Sequence, residues 1–203
     1  MIMKSWVITG GPGCGKSTVA GLLSCLLPDS MQMFSADEGV QRAFEDGVVL
    51  KSIHDEFAPP RDCSGDISST RAWLRRHVLP HPELRQRLEA ILHPPVFSAL
   101  EGARQAAKDA GVNLFLAEVP LHYETGCAVS ADFVIVVASS RSVQVRRMME
   151  TRGLSEQTVQ QFLDAQWPIE AKVERADAVI WNDGGTASLN AQVLTLASPL
   201  LEA

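Results

Sequence analysis

The chain of 203 residues carries 18 Lys plus Arg against 24 Asp plus Glu, a net charge of −6, with 46% hydrophobic and 21% charged residues. That length supplies one compact core, with room for a helical insertion but not for two independent cores. The composition excludes global disorder, and the acidic balance is poorly suited to covering a nucleic-acid backbone. The apolar runs, such as Phe133 to Ala138, are too short to cross a bilayer, and the N-terminus enters a strand-like run with no signal-peptide layout. Cys14, Cys25, Cys63 and Cys127 are scattered without a CxxC pair or a His at metal-ligand spacing, which argues against a zinc site or a disulfide framework. The expectation is a cytoplasmic protein with free thiols, no membrane partner and no nucleic-acid partner; oligomeric state is not legible.

In chain order, Trp6-Val7-Ile8 is a short apolar run that meets the glycine cluster Gly10-Gly11-Pro12-Gly13-Cys14-Gly15. Val19, Leu22, Leu23, Leu26 and Leu27 then recur at the spacing of one buried helix face, which ends before Pro28. Residues 40–110 lean helical, with Leu84, Leu88, Ile91 and Leu92 on one face and Pro94-Pro95 breaking the pattern. A second strand-like run, Leu114-Phe115-Leu116-Ala117, leads into Glu118-Val119-Pro120, and a third, Phe133-Val134-Ile135-Val136-Val137, is apolar throughout. Short helices are expected over 142–149, 156–166 and 170–176, a last strand near Ala178-Val179-Ile180, and a closing helix from Ala187. Continuous apolar strands separated by helices predict a doubly wound α/β fold, its parallel sheet covered on both faces.

Gly10 to Ser17 fits G-x-x-x-x-G-K-[ST] and lies between a predicted strand and a predicted helix, the context its mechanism requires. Glycines let successive backbone N–H groups turn inward around phosphates, and the helix beginning near Lys16 adds its positive dipole end. Lys16 is placed to bridge the β- and γ-phosphates of ATP, and Ser17 to supply a Mg²⁺ ligand. Gly11, Pro12, Gly13, Cys14, Gly15 and Thr18 complete the expected phosphate-binding set. The Asn-Lys-x-Asp segment that reads guanine is absent, and a large ATPase needs more chain, so a small-molecule kinase remains.

Five segments, in order, resemble the dephospho-coenzyme A kinase family over nearly the whole chain. They are Thr9 to Thr18; Ser35-Ala36-Asp37; Leu88 to Pro94 with its Leu-His-Pro ending, together with Arg71-Ala72-Trp73-Leu74 upstream; Val119 to Glu124; and the run Gln144 to Asn182 with the following Asp183-Gly184. The resemblance implies a fold of the P-loop nucleoside triphosphate hydrolase type in three parts. A nucleotide core would span about 1–39, 111–140 and 177–203, a helical substrate-binding region about 40–110, and a helical lid about 141–176. The implied reaction moves the γ-phosphate of ATP, with Mg²⁺, onto the ribose 3′-hydroxyl of dephospho-coenzyme A.

The same resemblance assigns roles. Asp37 would accept or orient the hydroxyl proton, though an Asp before a helix is equally an N-cap from position alone. Arg71, His93, Pro120 and Glu124 would bind the acceptor, and Arg147 would bring positive charge to the γ-phosphoryl group. Glu118 is a candidate for Mg²⁺ through water, and Asn182 and Gly184 for the adenine border. The chain departs from the family pattern with Ser35 for an Asp, Ala58 for a Gly, His122 for a Leu, Phe162 for a lid Arg and Trp181 for an Asp, which predicts a more apolar lid and nucleotide border. Cys14, near a helix N-terminus, raises the idea of an oxidant-sensitive thiol; the plainer expectation is a small residue filling a tight turn. Two alternatives stand beside the main reading: another small P-loop kinase acting on a nucleoside monophosphate or metabolite hydroxyl, and an ATP-binding module without catalysis.

Overall fold

The computed structural model describes residues 3–60, 66–126 and 129–201. Cys63 and Cys127 lie outside the described residues.

The first element is β1 (Lys4–Gly10), followed by α1 (Lys16–Leu26), β2 (Met31–Ser35) and α2 (Ala36–Ala43). Three more helices come before the sheet resumes: α3 (Gly47–Phe57), α4 (Ile67–His77) and α5 (Pro82–Asp109). The chain continues through β3 (Leu114–Glu118), β4 (Phe133–Ala138), α6 (Arg141–Arg152), α7 (Glu156–Asp164), α8 (Ile169–Val173), β5 (Ala178–Trp181) and α9 (Thr186–Leu201). Every strand pairing is parallel, in the order β2-β3-β1-β4-β5. This is the expected doubly wound α/β class.

Burial follows from that order. The central strands β1, β3 and β4 are buried over most of their length, as parallel strands covered on both faces must be, whereas the edge strands β2 and β5 each bury one residue, Phe34 and Ile180. Val19 and Leu23 of α1 and Val193 and Ala197 of α9 close over Ile8, Leu116, Ile135 and Ile180 in one apolar cluster. A smaller cluster, Met148 with Val159 and Leu163, joins α6 to α7.

The chain divides into two compact units, residues 1–35 with 104–203, and residues 36–103. Within the second unit, Asp46 caps α3 by accepting from the Val48 N–H, and Asp66 caps α4 by accepting from Ser68 and Ser69. The expected break at Pro94-Pro95 does not occur: α5 runs through both prolines for 28 residues. Each proline removes one ladder donor, but Leu88, Leu92, Val96 and Leu100 recur on one buried face across the site, and that burial outweighs the missing bonds.

Parallel pairing sets all carboxyl ends of the strands on one edge of the sheet, so Gly10, Ser35, Glu118, Ala138 and Trp181 deliver the segments after them to that edge. Leu23 is fully buried in the layer that fixes α1 against the sheet. Leu23→Ala is expected to lower unfolding free energy by about 3 kcal/mol, read as a lower denaturant midpoint at unchanged slope.

Candidate active site

The turn from β1 into α1 is built from backbone that only glycine adopts readily. Gly13 and Gly15 have φ of +72° and +92°, and Gly10 has φ of +142°. A Cβ on Gly10 would stand 2.1 Å from the Val137 carbonyl oxygen of the neighbouring strand, so the close approach of β1 to β4 also requires glycine there.

Residues from two other segments hold this loop. Asn182, buried at the end of β5, donates its side-chain N–H to the Cys14 carbonyl at 2.8 Å. Arg147 on α6 donates to the Gly13 carbonyl (3.3 Å), the Ser139 hydroxyl (3.2 Å) and the Asn182 carbonyl (2.8 Å). Gln144, one turn earlier on the same helix, donates to the Ser139 carbonyl, and its Oε1 fills the space a Gly11 side chain would need. Loop carbonyls satisfied from outside leave the loop N–H groups for an anion, the arrangement a phosphate cradle needs.

Lys16 Nζ donates to the Gly10 and Gly11 carbonyls at 3.1 and 3.0 Å. The Ser17 hydroxyl donates to Glu118 Oε1 at 3.0 Å, joining the first turn of α1 to the end of β3. A hydroxyl and a carboxylate are hard oxygen donors of the kind Mg²⁺ takes along with phosphate oxygens and water, so this pair fits that ion. Pro12 and Gly11 also line a cavity of about 280 Å³ whose other walls include Arg141, Gln144, Asp164, Trp167 and Ile169. Arg141 bridges α6 to α7 through Gln160 and Asp164.

Cys14 is fully buried. Burial pushes its thiol up, against smaller opposing effects from Lys16, Ser139 and Gly11, so the oxidant-sensitive reading fails and the residue fills the turn. Asp183 is held below the usual carboxylate range: burial pushes it up, but hydrogen bonds from Ser140 and the Trp181 indole and the Arg147 charge outweigh that. Phe162 and Trp181 are both exposed, while Gly184 sits one turn from Ser188 at the start of α9.

The loop after β3 holds the remaining candidates of this unit. The Pro120 carbonyl accepts from Thr9 Oγ1 at 3.1 Å, and Glu124 forms a 2.7 Å ion pair with Lys172. Within the other unit, Asp37 is exposed in the first turn of α2, two residues past β2. Arg71 lies over the Phe44 ring, and His93 packs against Phe97 in mid-helix. Sequence reasoning missed the roles of Ser139, Gln144 and Lys172; the Gln144/Arg147 spacing of three residues, which puts both on one helix face, was the available signal.

Asn182→Ala leaves the buried Cys14 carbonyl without its donor. The expected loss is about 1–3 kcal/mol of stability and about tenfold in ATP affinity, checked by thermal unfolding and nucleotide titration.

Comparison with known proteins places this geometry. The dephospho-CoA kinase family model matches residues 6–188. The dephospho-CoA kinase of Methylococcus capsulatus is 37% identical over 188 residues, covering 92% of this chain and 91% of that protein. That of Syntrophotalea carbinolica is 32% identical over 195 residues, covering 96% and 90%. A solved protein from Thermus thermophilus superposes with a TM-score of 0.83 at 30% identity, covering 99% of each chain. With the match continuous from the phosphate loop through β5, the chain belongs to the dephospho-CoA kinase family.

Proposed function

We propose that this protein transfers the γ-phosphate of ATP to the ribose 3′-hydroxyl of dephospho-coenzyme A, giving coenzyme A and ADP, in the cytoplasm. The observation that carries the reading is the family match along residues 6–188 on a phosphate loop whose Lys16, Ser17 and three left-handed or open glycines are intact.

Phosphoryl transfer has a loose transition state, so the protein's task is alignment and neutralising charge on the transferred group. The loop N–H groups of Gly11 to Thr18, with Pro12 and Cys14 shaping the turn, hold the β- and γ-phosphates, and the N-terminus of α1 adds its dipole. Lys16 exchanges the Gly10 and Gly11 carbonyls for phosphate oxygens when ATP enters. Ser17, with Glu118 through water, would hold Mg²⁺, which supplies charge neutralisation between the phosphates. Arg147 supports the same loop through the Gly13 carbonyl, and its charge adds to the positive field in which the anion develops. Asn182 and Gly184 border the nucleotide.

Asp37 takes the acceptor hydroxyl's proton. Arg71, His93, Pro120 and Glu124 bind the acceptor, Arg71 by pairing its guanidinium with acceptor phosphate. The exposure of Asp37 and its place in the first turn of α2 support this role, since a carboxylate there is reachable by an acceptor hydroxyl.

Purified protein with ATP, Mg²⁺ and dephospho-coenzyme A is expected to form coenzyme A. Lys16→Ala and Asp37→Asn are each expected to lower kcat by at least about 100-fold, a loss of about 2.7 kcal/mol in transition-state stabilisation. The substrate panel includes nucleoside monophosphates. Turnover of these in place of dephospho-coenzyme A would support the other small-kinase reading.

A further inference from the structure

Lys172 is the one lysine among the described residues with no solvent exposure, and no step of the mechanism above uses it. Its ammonium, carried on α8, forms a 2.7 Å ion pair with Glu124 Oε1, and the Pro120 carbonyl and Gln166 Oε1 lie at 3.4 Å. The same Glu124 oxygen accepts from the Trp167 backbone N–H at 3.0 Å. Pro120 in turn accepts from Thr9 at the end of β1. Glu124 therefore ties the β3 loop to α8 through the ion pair and to the segment between α7 and α8 through the Trp167 N–H.

That segment matters for position. Gln166, Trp167, Pro168 and Ile169 line the same cavity as Gly11 and Pro12 of the phosphate loop. The Trp167 ring also stacks on Tyr123, from the same loop as Glu124, at 6.0 Å between centroids.

We propose that Lys172 is a positioning residue for phosphoryl transfer: through Glu124 it fixes the Trp167–Ile169 wall against the phosphate loop. The proposal rests on the kinase reading above. A buried ion pair is a poor stability device, because desolvating two charges offsets most of their attraction and apolar substitutes of similar size serve as well. Misplacing a wall beside the reacting group by about 1 Å, by contrast, costs rate steeply. The pair's contribution is placement of the segment it joins.

Among the described residues, the charged and titratable groups facing Glu124 are Lys172 from α8 and His122 from its own loop. Burial lowers the His122 pKa, with Glu124 raising it and Lys172 lowering it further, so His122 is neutral at neutral pH and does not replace the Lys172 charge. Removing Lys172 alone leaves the largely buried Glu124 carboxylate without its cation, which disfavours its charged form. Such a variant is therefore less stable where carboxylates are ionised than where they are protonated.

The test compares wild type, Lys172→Met, Glu124→Gln and the double variant in dephospho-coenzyme A conversion, in binding of a non-hydrolysable ATP analogue, and in thermal midpoint at about pH 5.5 and about pH 8. Lys172→Met is expected to lose more midpoint at the higher pH. The double variant is expected to regain the wild-type midpoint at both, while kcat stays about 100-fold down and analogue affinity changes less than about threefold.

A double variant turning over at the wild-type rate would overturn the proposal, as would an equal loss of midpoint by Lys172→Met at both pH values. A defect confined to the KM for dephospho-coenzyme A would also overturn it, leaving Glu124 as an acceptor contact alone. Wild type failing to convert dephospho-coenzyme A overturns the kinase reading instead, and the pH comparison then still decides whether Lys172 neutralises Glu124.

Discussion

The structure depends on one constraint: a loop that turns its N–H groups inward must have its carbonyls satisfied from the other side. Between β1 and α1 the glycines permit the turn, but conformational freedom alone would leave the loop one conformer among many. Asn182 at the Cys14 carbonyl and Arg147 at the Gly13 carbonyl select that conformer. Both come from segments that follow β4 and β5, so the sheet order itself is what brings the clamps to the loop. The buried Cys14 belongs to this arrangement as packing, its thiol kept protonated by burial.

A second polar group, remote in sequence, has a similar logic. Thr9 reaches the Pro120 carbonyl, Glu124 the Trp167 N–H, and Lys172 closes the set. Each link joins an element at the carboxyl edge of the sheet to its neighbour. The apolar cluster of β1, β3, β4, α1 and α9 holds the layers together, but apolar contact is tolerant of small slides. Directional bonds at the edge remove that tolerance where chemistry needs a fixed distance.

Much of this was legible from residues alone. The strand runs at Trp6, Leu114, Phe133 and Ala178, the α1 face and the phosphate loop all followed from periodicity and glycine spacing, since those signals are local. The continuity of α5 through Pro94 and Pro95 was not, because local breaking chemistry was overruled by a buried face running through both prolines. Nor did sequence show where the polar side chains of α6, α8 and β5 end up. Gln144, Arg147, Lys172 and Asn182 lie far along the chain from the loops they serve, and a lone Lys in a short helix reads as a solvated charge until the fold buries it.

The central claim is that the phosphate loop delivers the γ-phosphoryl group to one hydroxyl. The most direct measurement supplies ATP labelled with ¹⁸O on the γ-phosphate together with dephospho-coenzyme A and Mg²⁺, and locates the label in the product by fragmentation mass spectrometry. The account predicts the label in a phosphate on the ribose 3′-oxygen. Label recovered only in inorganic phosphate, or on another position of the acceptor, would contradict it.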